Sequence, residues 1–284
     1  MKRFSLLLLS IFAVLIFNGC SSINSADTGA VFSVASFNIR VPRDKAPNDW
    51  KTRRVRLLAL LKEQKFAIFG VQEAVSRQIN DIKALGYAMT GCGRDADRGG
   101  EYSAVFYDSE RFTCLESNTF WLSQTPDVPG SRSWNTACPR ICTYGLFLDK
   151  RSGKKFIFAN THLDHRSQEA RERGCKLIFD KLWPLNKKYP LILTGDFNSK
   201  PDSVQIVFTG TLFRDARQVA KKIIPGPDMT FHGYNPRNPK RMRVPIDYIF
   251  VNRQVNVHTF QVIDDVKDGL HTSDHYPLKA VVSL

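Results

Sequence analysis

Residues 191–198 read Leu-Ile-Leu-Thr-Gly-Asp-Phe-Asn, a short apolar run that ends in glycine, aspartate and asparagine. A run of this length bounded by polar turn residues is typical of a buried β-strand whose end reaches the surface. The same pattern recurs where residues 31–37 end at Asn38, residues 66–71 end at Gln72 and Glu73, and residues 156–159 end at Asn160, Thr161 and His162. The sequence therefore predicts several buried strands that end in polar side chains.

Apolar residues at helical spacing lie between some of these strands. Residues 53–62 carry Val55, Leu58 and Leu61 at intervals of three, and residues 168–182 carry a similar apolar stripe. Further strands are predicted at 246–251 and 277–284, and an antiparallel meander is predicted from 87–91, 102–107 and 112–122. Strands that alternate in places with helices favour a mixed α/β fold with packed sheets and outer helices.

Two long segments, residues 123–139 and 225–245, contain several prolines and show no clear periodicity. Long ordered loops in a compact domain are often functional. The second segment carries Arg237, Lys240, Arg241 and Arg243 just ahead of a predicted strand. These side chains could grip a polyanionic substrate or form an ordinary solvated basic loop.

The first thirty residues differ in character from the rest of the chain. Lys2 and Arg3 precede a mainly apolar run over residues 4–17, which is followed by Asn-Gly-Cys20. This order is typical of a secretory signal peptide, and the run is too short for a comfortable membrane span. Residues 1–19 resemble a bacterial lipoprotein signal with Cys20 as the lipidated residue, and residues 20–30 are small and polar, like a tether. We therefore expect an exported protein of the bacterial cell envelope held to the membrane by a lipid anchor, with plain secretion as the alternative.

The chain of 284 residues has 41 lysines and arginines against 27 acidic residues, a formal net charge of +14. A basic balance suits an anionic partner such as nucleic acid, a phosphate ester or a lipid headgroup, although many solvated surfaces are also basic. The cysteines after Cys20 could form one or two disulfides in an oxidising compartment. The length of residues 31–284 suits one large α/β domain, which we expect to be a monomer.

Carboxylates and their polar neighbours stand beside several of the apolar runs. The carboxylates are Glu73, Asp196, Asp247 and Asp274, and the neighbours are Asn38, Asn198, His162 and His275. Functional sites in open α/β sheets gather outside strand ends, so we expect these side chains to lie close together. Clustered carboxylates repel one another, and a hard divalent cation relieves that repulsion. Oxygen and amide ligands favour Mg²⁺ or Mn²⁺ over zinc.

Residues 160–165 read Asn-Thr-His-Leu-Asp-His, which raises the alternative of a compact zinc site. A zinc hydrolase of the metallo-β-lactamase type would need another His-x-His immediately upstream, and Ala159 and Asn160 occupy that space. In an extended strand Phe156, Phe158, Asn160 and His162 share one face. We therefore interpret His162 as one strand end of a distributed magnesium site.

Six motifs occur in a characteristic order along the chain: Ser-Phe-Asn38, Gln-Glu73, Asn-Thr-His162, Gly-Asp196-Phe-Asn198, Ile-Asp247-Tyr-Ile-Phe and Ser-Asp274-His275-Tyr-Pro. The ordered set resembles the DNase I-like endonuclease/exonuclease/phosphatase superfamily over residues 31–284. The stretches around Tyr107 and Arg140 resemble its deadenylase-like bacterial branch. The resemblance implies a four-layer α/β/β/α sandwich of two packed mixed β-sheets with outer helices. It also implies metal-dependent phosphoester hydrolysis, while Ala67, where the family often has aspartate, is a departure that we interpret as structural.

The resemblance implies a role for each matching residue. Glu73 is expected to be a metal ligand, with Asn38 and Asp274 as further ligands, and Asp274 could instead serve a second metal. Asp196 is expected to orient or deprotonate the attacking water. Asn198 is expected to position that water or a phosphate oxygen.

The remaining implied roles concern the phosphate. His275 is expected to contact the scissile phosphate as an imidazolium, and Asp247 is expected to pair with His162 and set its tautomer. Arg140 could clamp a phosphate with its planar fork, or form a surface ion pair instead. Tyr107 could donate a hydrogen bond to the phosphate, or simply pack against a sheet.

These expectations together describe an exported, Mg²⁺- or Mn²⁺-dependent phosphoesterase acting on phosphodiesters or phosphomonoesters. The basic charge and the deadenylase-like stretches make nucleic acid or nucleotides the leading substrate class, with 3'-5' exonuclease-like action. Inositol phosphates, phosphorylated sugars and phospholipid headgroups are alternatives. A lipid-anchored binding protein that keeps the fold without catalysis is a second alternative.

Overall fold

The computed structural model describes residues 31–238, 240 and 243–284. The predicted signal peptide, the lipidated Cys20 and the tether lie outside the described residues, and so does Arg241 of the basic loop. Within the described part of the chain, no helix is both long enough and apolar enough to cross a membrane.

Two mixed β-sheets form the body of the protein. The first contains β1 (Val31–Asn38), β2 (Ile68–Ala74), β3 (Ala88–Thr90), β4 (Tyr102–Tyr107), β10 (Lys222–Ile223), β12 (Asn256–Val262) and β13 (Leu278–Ser283). The second contains β5 (Phe112–Trp121), β6 (Ile141–Asp149), β7 (Lys155–His162), β8 (Leu191–Asp196), β9 (Arg214–Asp215) and β11 (Asp247–Val251). Their strand orders are β10-β12-β13-β1-β2-β4-β3 and β5-β6-β7-β8-β11-β9.

Five helices connect the strands of the described chain: α1 (Trp50–Gln64), α2 (Ser76–Lys83), α3 (Gln168–Asn186), α4 (Val204–Leu212) and α5 (Ala216–Val219). Leu57 of α1 and Ile79 of α2 pack against the first sheet in one apolar cluster. Ile178 of α3 and Ile206 of α4 pack against the second sheet in another. The order helix, sheet, sheet, helix confirms the predicted four-layer sandwich.

The central core lies between the two sheets. Phe32 and Val34 of β1 meet Phe156 and Phe158 of β7 there, whereas Phe37 of β1 faces the helices on the other side. Successive side chains of a strand point to opposite faces, so the inner strands bury apolar groups on both sides. This explains why their sequences read as almost continuous apolar runs.

Both predicted helices are longer than their apolar stripes. The Asp49 side chain caps α1 by accepting from the Thr52 amide, so the helix starts at Trp50 instead of residue 53. The Ser167 side chain caps α3 in the same way, and α3 runs four residues beyond the predicted end, to Asn186. The predicted boundaries follow the apolar residues, although Val55 of the α1 stripe is exposed and Leu57 is buried in its place, and the caps and the last turns decide the true ends.

The predicted meander is only partly correct. β3 and β4 pair antiparallel in the first sheet, but β5 pairs with β6 in the second sheet. The chain crosses from the first sheet to the second after β4. At the crossing the buried Arg111 donates a hydrogen bond to the carbonyl oxygen of Val31 in the first sheet at 2.9 Å, and it forms an ion pair with Asp149 in the second sheet. The crossing is set by this tertiary contact, which alternation along the strands does not reveal.

The two proline-containing segments are irregular, as predicted, apart from an isolated bridge between Phe231 and His275. They bring Cys138, Arg140, Phe231 and Ile246 to one cavity. The cysteines within the described residues are all free thiols, so the disulfides that the composition allowed are not formed among them.

Candidate active site

The polar strand ends of both sheets meet at one edge of the sandwich. In the second sheet His162, Asp196 and Asp247 stand side by side, because β7 and β8 pair His162 with Asp196 and β8 and β11 pair Asp196 with Asp247. In the first sheet β1 and β2 place Asn38 beside Gln72. The predicted convergence of the distant motifs is therefore confirmed.

Buried amides join the two sheets directly beneath the site. Asn160, fully buried on β7, accepts from the Gln72 side chain at 2.6 Å and donates to the carbonyl oxygens of Val71 and Ala104. Its neighbour Thr194 donates to the Asn160 side-chain oxygen at 3.1 Å. Buried polar groups are costly unless bonded, and in this network only Oε1 of Gln72 has no partner, so the bonds hold the two strand edges in one relative position.

A bulge in β2 turns Glu73 into the site. The pairing between β2 and β4 is irregular between Val71 and Ala74, and Glu73 has the left-handed φ of 62°. Its Oε2 accepts from the Val41 amide at 2.9 Å, and its Oε1 accepts from Asn38 at 3.2 Å. A strained backbone held in this way is typical of functional positions.

Asn38 bridges the carboxylates of the two sheets. Its Nδ2 donates to Glu73 and, at 3.0 Å, to Oδ2 of Asp196, while its Oδ1 accepts from the Arg40 amide. Asn38 thus orients both carboxylates in this arrangement. Its role as a direct metal ligand stays a prediction.

Asp274 faces Glu73 with Arg40 near both. Arg40 Nε lies 3.7 Å from Asp274 Oδ2, and Arg40 Nη1 lies 3.8 Å from Glu73 Oε2. The backbone carbonyl of Asp274 accepts from the amides of His232 and Gly233. Burial raises the pKa of Asp274, whereas at Glu73 the effect of burial is outweighed by the Val41 amide and nearby cationic groups, so the pKa of Glu73 is lowered.

The donor set of this edge fits a divalent cation. Buried carboxylates from both sheets point into one cavity, and Oδ1 of Asp247 has no hydrogen-bond partner although it is buried. Glu73, Asp196 and Asp274 all line this cavity. Crowded oxygen donors of this kind are the ligands that Mg²⁺ and Mn²⁺ prefer.

His275 is paired with Asp247. Its Nδ1 lies 2.9 Å from Asp247 Oδ2, so the predicted pairing of Asp247 with His162 is wrong. Burial lowers the pKa of His275, but Asp247, Asp196 and Asp274 together outweigh burial and raise the pKa to about 10. His275 is therefore an imidazolium at neutral pH, as expected, with its Nε2 edge 3.8 Å from Asp196.

His162 lies in a different electrostatic environment. Its Nε2 is 3.1 Å from Asn198 Nδ2 and 3.4 Å from Asp196 Oδ2. Burial, followed by the positive charge of Arg140, lowers the pKa of His162 well below its usual value. His162 is therefore neutral, and its Nε2 can accept a hydrogen bond from Asn198, which is the partner that sets the tautomer.

Asp196 stands between the two histidines. Its Oδ1 accepts from the Asn198 amide at 2.8 Å, and its Oδ2 accepts from Asn38. Burial and then the nearby charge of Asp247 raise the pKa of Asp196 to about 7. A carboxylate with a pKa near the working pH is well matched to act as a general base.

Arg140 reaches the cavity from the end of the long loop. Its Nη2 contacts His165 Nδ1 at 2.9 Å, and its Nε lies 3.5 Å from Asp164. Asp164 also accepts from the loop at Thr136 and Ala137, which fixes the loop in place. Nε and Nη1 of Arg140 have no hydrogen-bond partner although they are buried, so the guanidinium is positioned to receive an anion.

A model of the Endonuclease/Exonuclease/phosphatase family matches residues 35–275. The chain belongs to this family. The family consists of divalent-metal-dependent phosphoester hydrolases, and the chain is an enzyme of this class. The convergence of all six motifs argues against the alternative of a binding protein without catalysis.

Known relatives agree with the family. The chain is similar to an endonuclease/exonuclease/phosphatase from Bacteroides vulgatus, with 36% identity, a TM-score of 0.84, and coverage of 89% of this chain and 99% of that chain. It is similar to a mannosyl-6-phosphatase from Bacteroides thetaiotaomicron, with 33% identity, a TM-score of 0.82, and coverage of 89% and 100%. It is 28% identical to Protein angel of Drosophila melanogaster over 176 residues, which is 56% of this chain, and it spans 46% of that relative's length.

Tyr107 is not part of the site of this family member. β4 runs antiparallel to β2, with Tyr107 opposite Ile68 and Tyr102 opposite Ala74. Tyr107 therefore lies at the far end of the sheet, about 17 Å along the strand from Tyr102, where its ring packs on Phe147. The predicted hydrogen bond from Tyr107 to the phosphate is wrong.

The structure also adds residues that the motifs did not single out. Arg40, Arg43, Arg94, Glu101 and His165 all line the cavity. The stretch that suggested Tyr107 begins at Glu101, so the residue of this stretch that lines the cavity is its first one and not its last. Ala67 lies partly buried against the central core at the start of β2, and this position agrees with the structural interpretation.

Proposed function

We propose that this enzyme is a Mg²⁺- or Mn²⁺-dependent phosphomonoesterase acting on a small, hydroxyl-rich phosphate ester such as a phosphorylated sugar. The observation that carries the proposal is the shape of the cavity. It has a volume of about 370 Å³, and the Arg140 guanidinium, whose Nη1 makes no hydrogen bond, is part of its lining. A concave site of this size suits a small ligand. The similarity to a mannosyl-6-phosphatase supports the same substrate class.

In this proposal Arg140 and His275 bind the phosphate. Arg140 directs the N–H groups of its unpaired Nη1 at a phosphate oxygen, and the Nε2–H of the His275 imidazolium donates to another oxygen. Asp247 keeps His275 protonated because the two side chains are 2.9 Å apart. A phosphate monoester dianion therefore meets two fixed cationic groups inside a buried site.

The proton of the attacking water goes to Asp196. The water oxygen forms a bond to phosphorus as the bond from phosphorus to the alcohol oxygen breaks, and the leaving oxygen takes up a proton from bulk water. The side-chain oxygen of Asn198 accepts a hydrogen bond from the water, and neutral His162 holds Asn198 in place through its Nε2. Glu73 and Asp274, oriented by Asn38, would hold the cation, which neutralises phosphate oxygens and stabilises the leaving oxyanion when bound.

Phosphate release from a substrate panel tests this function. Purified full-length protein is assayed with hexose 6-phosphates, inositol phosphates, nucleoside monophosphates, single-stranded DNA and RNA, with and without EDTA. We expect metal-dependent release that is fastest with hexose phosphates. Faster turnover of the nucleic acids would favour the second candidate, a nuclease, which the basic loop residues Arg237, Lys240 and Arg243 and the net charge of +14 support.

We further propose that the enzyme is a lipid-anchored monomer of the bacterial cell envelope, based on residues 1–20. Metabolic labelling with a radioactive fatty acid should label the wild-type protein and not Cys20→Ala. Label in both proteins, or in neither, would refute the anchor. Sedimentation of the detergent-solubilised protein tests the monomer.

A further inference from the structure

The cavity has a second polar wall made by Arg94 and Glu101. Arg94 Nη1 lies 2.6 Å from Glu101 Oε2, and Arg94 Nη2 lies 3.0 Å from Glu101 Oε1. Both side chains are mostly buried, with 15% and 11% of their surface exposed. The exposed Arg43 adds a weaker contact to Glu101 at 3.5 Å. This is a parallel, two-bond ion pair on the cavity surface.

The frame around the pair is rigid. The Arg94 amide donates to the Glu101 carbonyl, and the Gly93 amide donates to the Arg98 carbonyl, so residues 93–101 close into a tight hairpin. The carbonyl oxygen of Arg94 accepts from the indole of the buried Trp121 at 2.6 Å. A Cβ at Gly93 would lie 1.8 Å from the Gly99 carbonyl oxygen, so only glycine fits there. The pair is therefore held in one orientation before any substrate arrives.

Arg140 and Arg94, two of the arginines that line the cavity, lie in different electrostatic environments. Arg140 lacks a two-bond carboxylate partner and has free buried N–H groups. Arg94 is paired through two hydrogen bonds with Glu101, so its charge is largely compensated and its guanidinium is held by a carboxylate.

An ion pair of this kind is well suited to hydroxyl groups. A hydroxyl both donates and accepts, so it can donate to a carboxylate oxygen and accept from a guanidinium N–H at the same time. The Glu101 oxygens keep lone pairs beyond those used by Arg94, and the guanidinium has five N–H groups, of which two bond Glu101. Arg94 and Glu101 also line a smaller hollow together with Arg140 and His162, directly beside the phosphate position.

We infer that the Arg94–Glu101 pair is the specificity-determining element of the site, binding hydroxyl groups of the alcohol part of the substrate while Arg140 and His275 take the phosphate. This inference rests on the proposed phosphomonoesterase function and adds which chemical feature of the substrate is selected. The substrate is a phosphate ester of a polyhydroxylated compound with hydroxyls within a few bonds of the ester.

The experiment compares two substrates that differ only in the alcohol part. Full-length wild-type protein, Glu101→Gln and Glu101→Ala are assayed for phosphate release from glucose 6-phosphate and from propyl phosphate, which has no hydroxyl. Losing hydrogen bonds to a charged group should lower kcat/KM for the sugar phosphate by about 10- to 100-fold, mainly through KM. For propyl phosphate kcat/KM should change by less than about threefold. Free glucose should inhibit the wild type more strongly than either variant.

Glu110→Gln is the matched control, because Glu110 is exposed and does not line the cavity. It should behave as wild type with both substrates. Equal losses with both substrates in Glu101→Gln would overturn the inference, because they would show that Glu101 only supports the phosphate site. Unchanged kinetics with both substrates would also overturn it. Wild-type protein that hydrolyses neither monoester but cleaves a diester would instead refute the proposed function, and the inference with it.

Discussion

The pairing of Asp247 with His275 can be tested by replacing Asp247 with asparagine. The substitution keeps the size of the side chain and removes its charge. His275 is buried, and burial alone would lower its pKa, so the rise of that pKa from 6.5 to about 10 comes from Asp247 first and from Asp196 and Asp274 after it. Each pKa unit corresponds to about 1.4 kcal/mol, so the site favours the imidazolium by about 5 kcal/mol.

Asp247 contributes both a charge and a hydrogen bond to that preference, so its loss should remove more than half of it. We expect the pKa of His275 in Asp247→Asn to fall to about 7 or lower, because burial is then opposed only by the more distant carboxylates. The imidazole also loses the group that fixes its tautomer. We therefore expect kcat to fall by about 10²- to 10⁴-fold near neutral pH.

NMR titration of the His275 ring gives the pKa directly, and steady-state phosphate release gives kcat. Asp149→Asn is a control for general loss of stability, because Asp149 forms a buried ion pair with Arg111, neither of which lines the cavity. A pKa of His275 that stays near 10 in Asp247→Asn would refute the reasoning. So would a kcat no lower than that of the control.

Other predictions follow from the same geometry. Arg140→Lys should raise KM by about 10-fold or more, because an ammonium cannot replace the planar fork, and steady-state kinetics with saturating metal checks this. After metal has been removed with EDTA, adding back Mg²⁺ or Mn²⁺ at 100 times Kd should raise the free energy of unfolding of the wild type by about 2.7 kcal/mol, and Glu73→Gln should lose most of this gain. Equal stabilisation of wild type and variant in thermal unfolding would contradict the role of Glu73 as a ligand. The pKa of His275 is higher in the folded protein than in the unfolded chain, so protonated His275 stabilises the metal-free protein. This contribution is complete below about pH 6.5 and is lost as pH rises through about 10. Urea unfolding at pH 7 and pH 10 measures the loss. Tyr107→Phe should leave kcat/KM unchanged, because Tyr107 lies at the far end of the sheet. A tenfold loss of kcat/KM would show that its hydroxyl group takes part in the reaction.

Much of the fold was predictable because it depends on local patterns. The buried strands at 31–38, 68–74 and 191–196 follow from apolar runs bounded by polar residues, since strands buried on both faces leave that signature. The order of the motifs predicted that Glu73 and Asp196 would meet. The boundaries of α1 and α3 and the sheet to which β5 belongs were not predictable in this way, because caps and cross-sheet contacts decide them.

The sequence by itself thus determined the central carboxylates and histidines of the site, because they lie at or near the ends of buried strands. Only the tertiary structure decided their partners and charges. Asp247 does not pair with His162 because β8 lies between β7 and β11, which places Asp196 between the two side chains, and Asp247 bonds His275 across the sheets instead. Tyr107 leaves the site because β4 runs antiparallel to β2. The opposite protonation of His162 and His275 arises because burial acts on both rings, while only His275 has a close carboxylate partner strong enough to outweigh it.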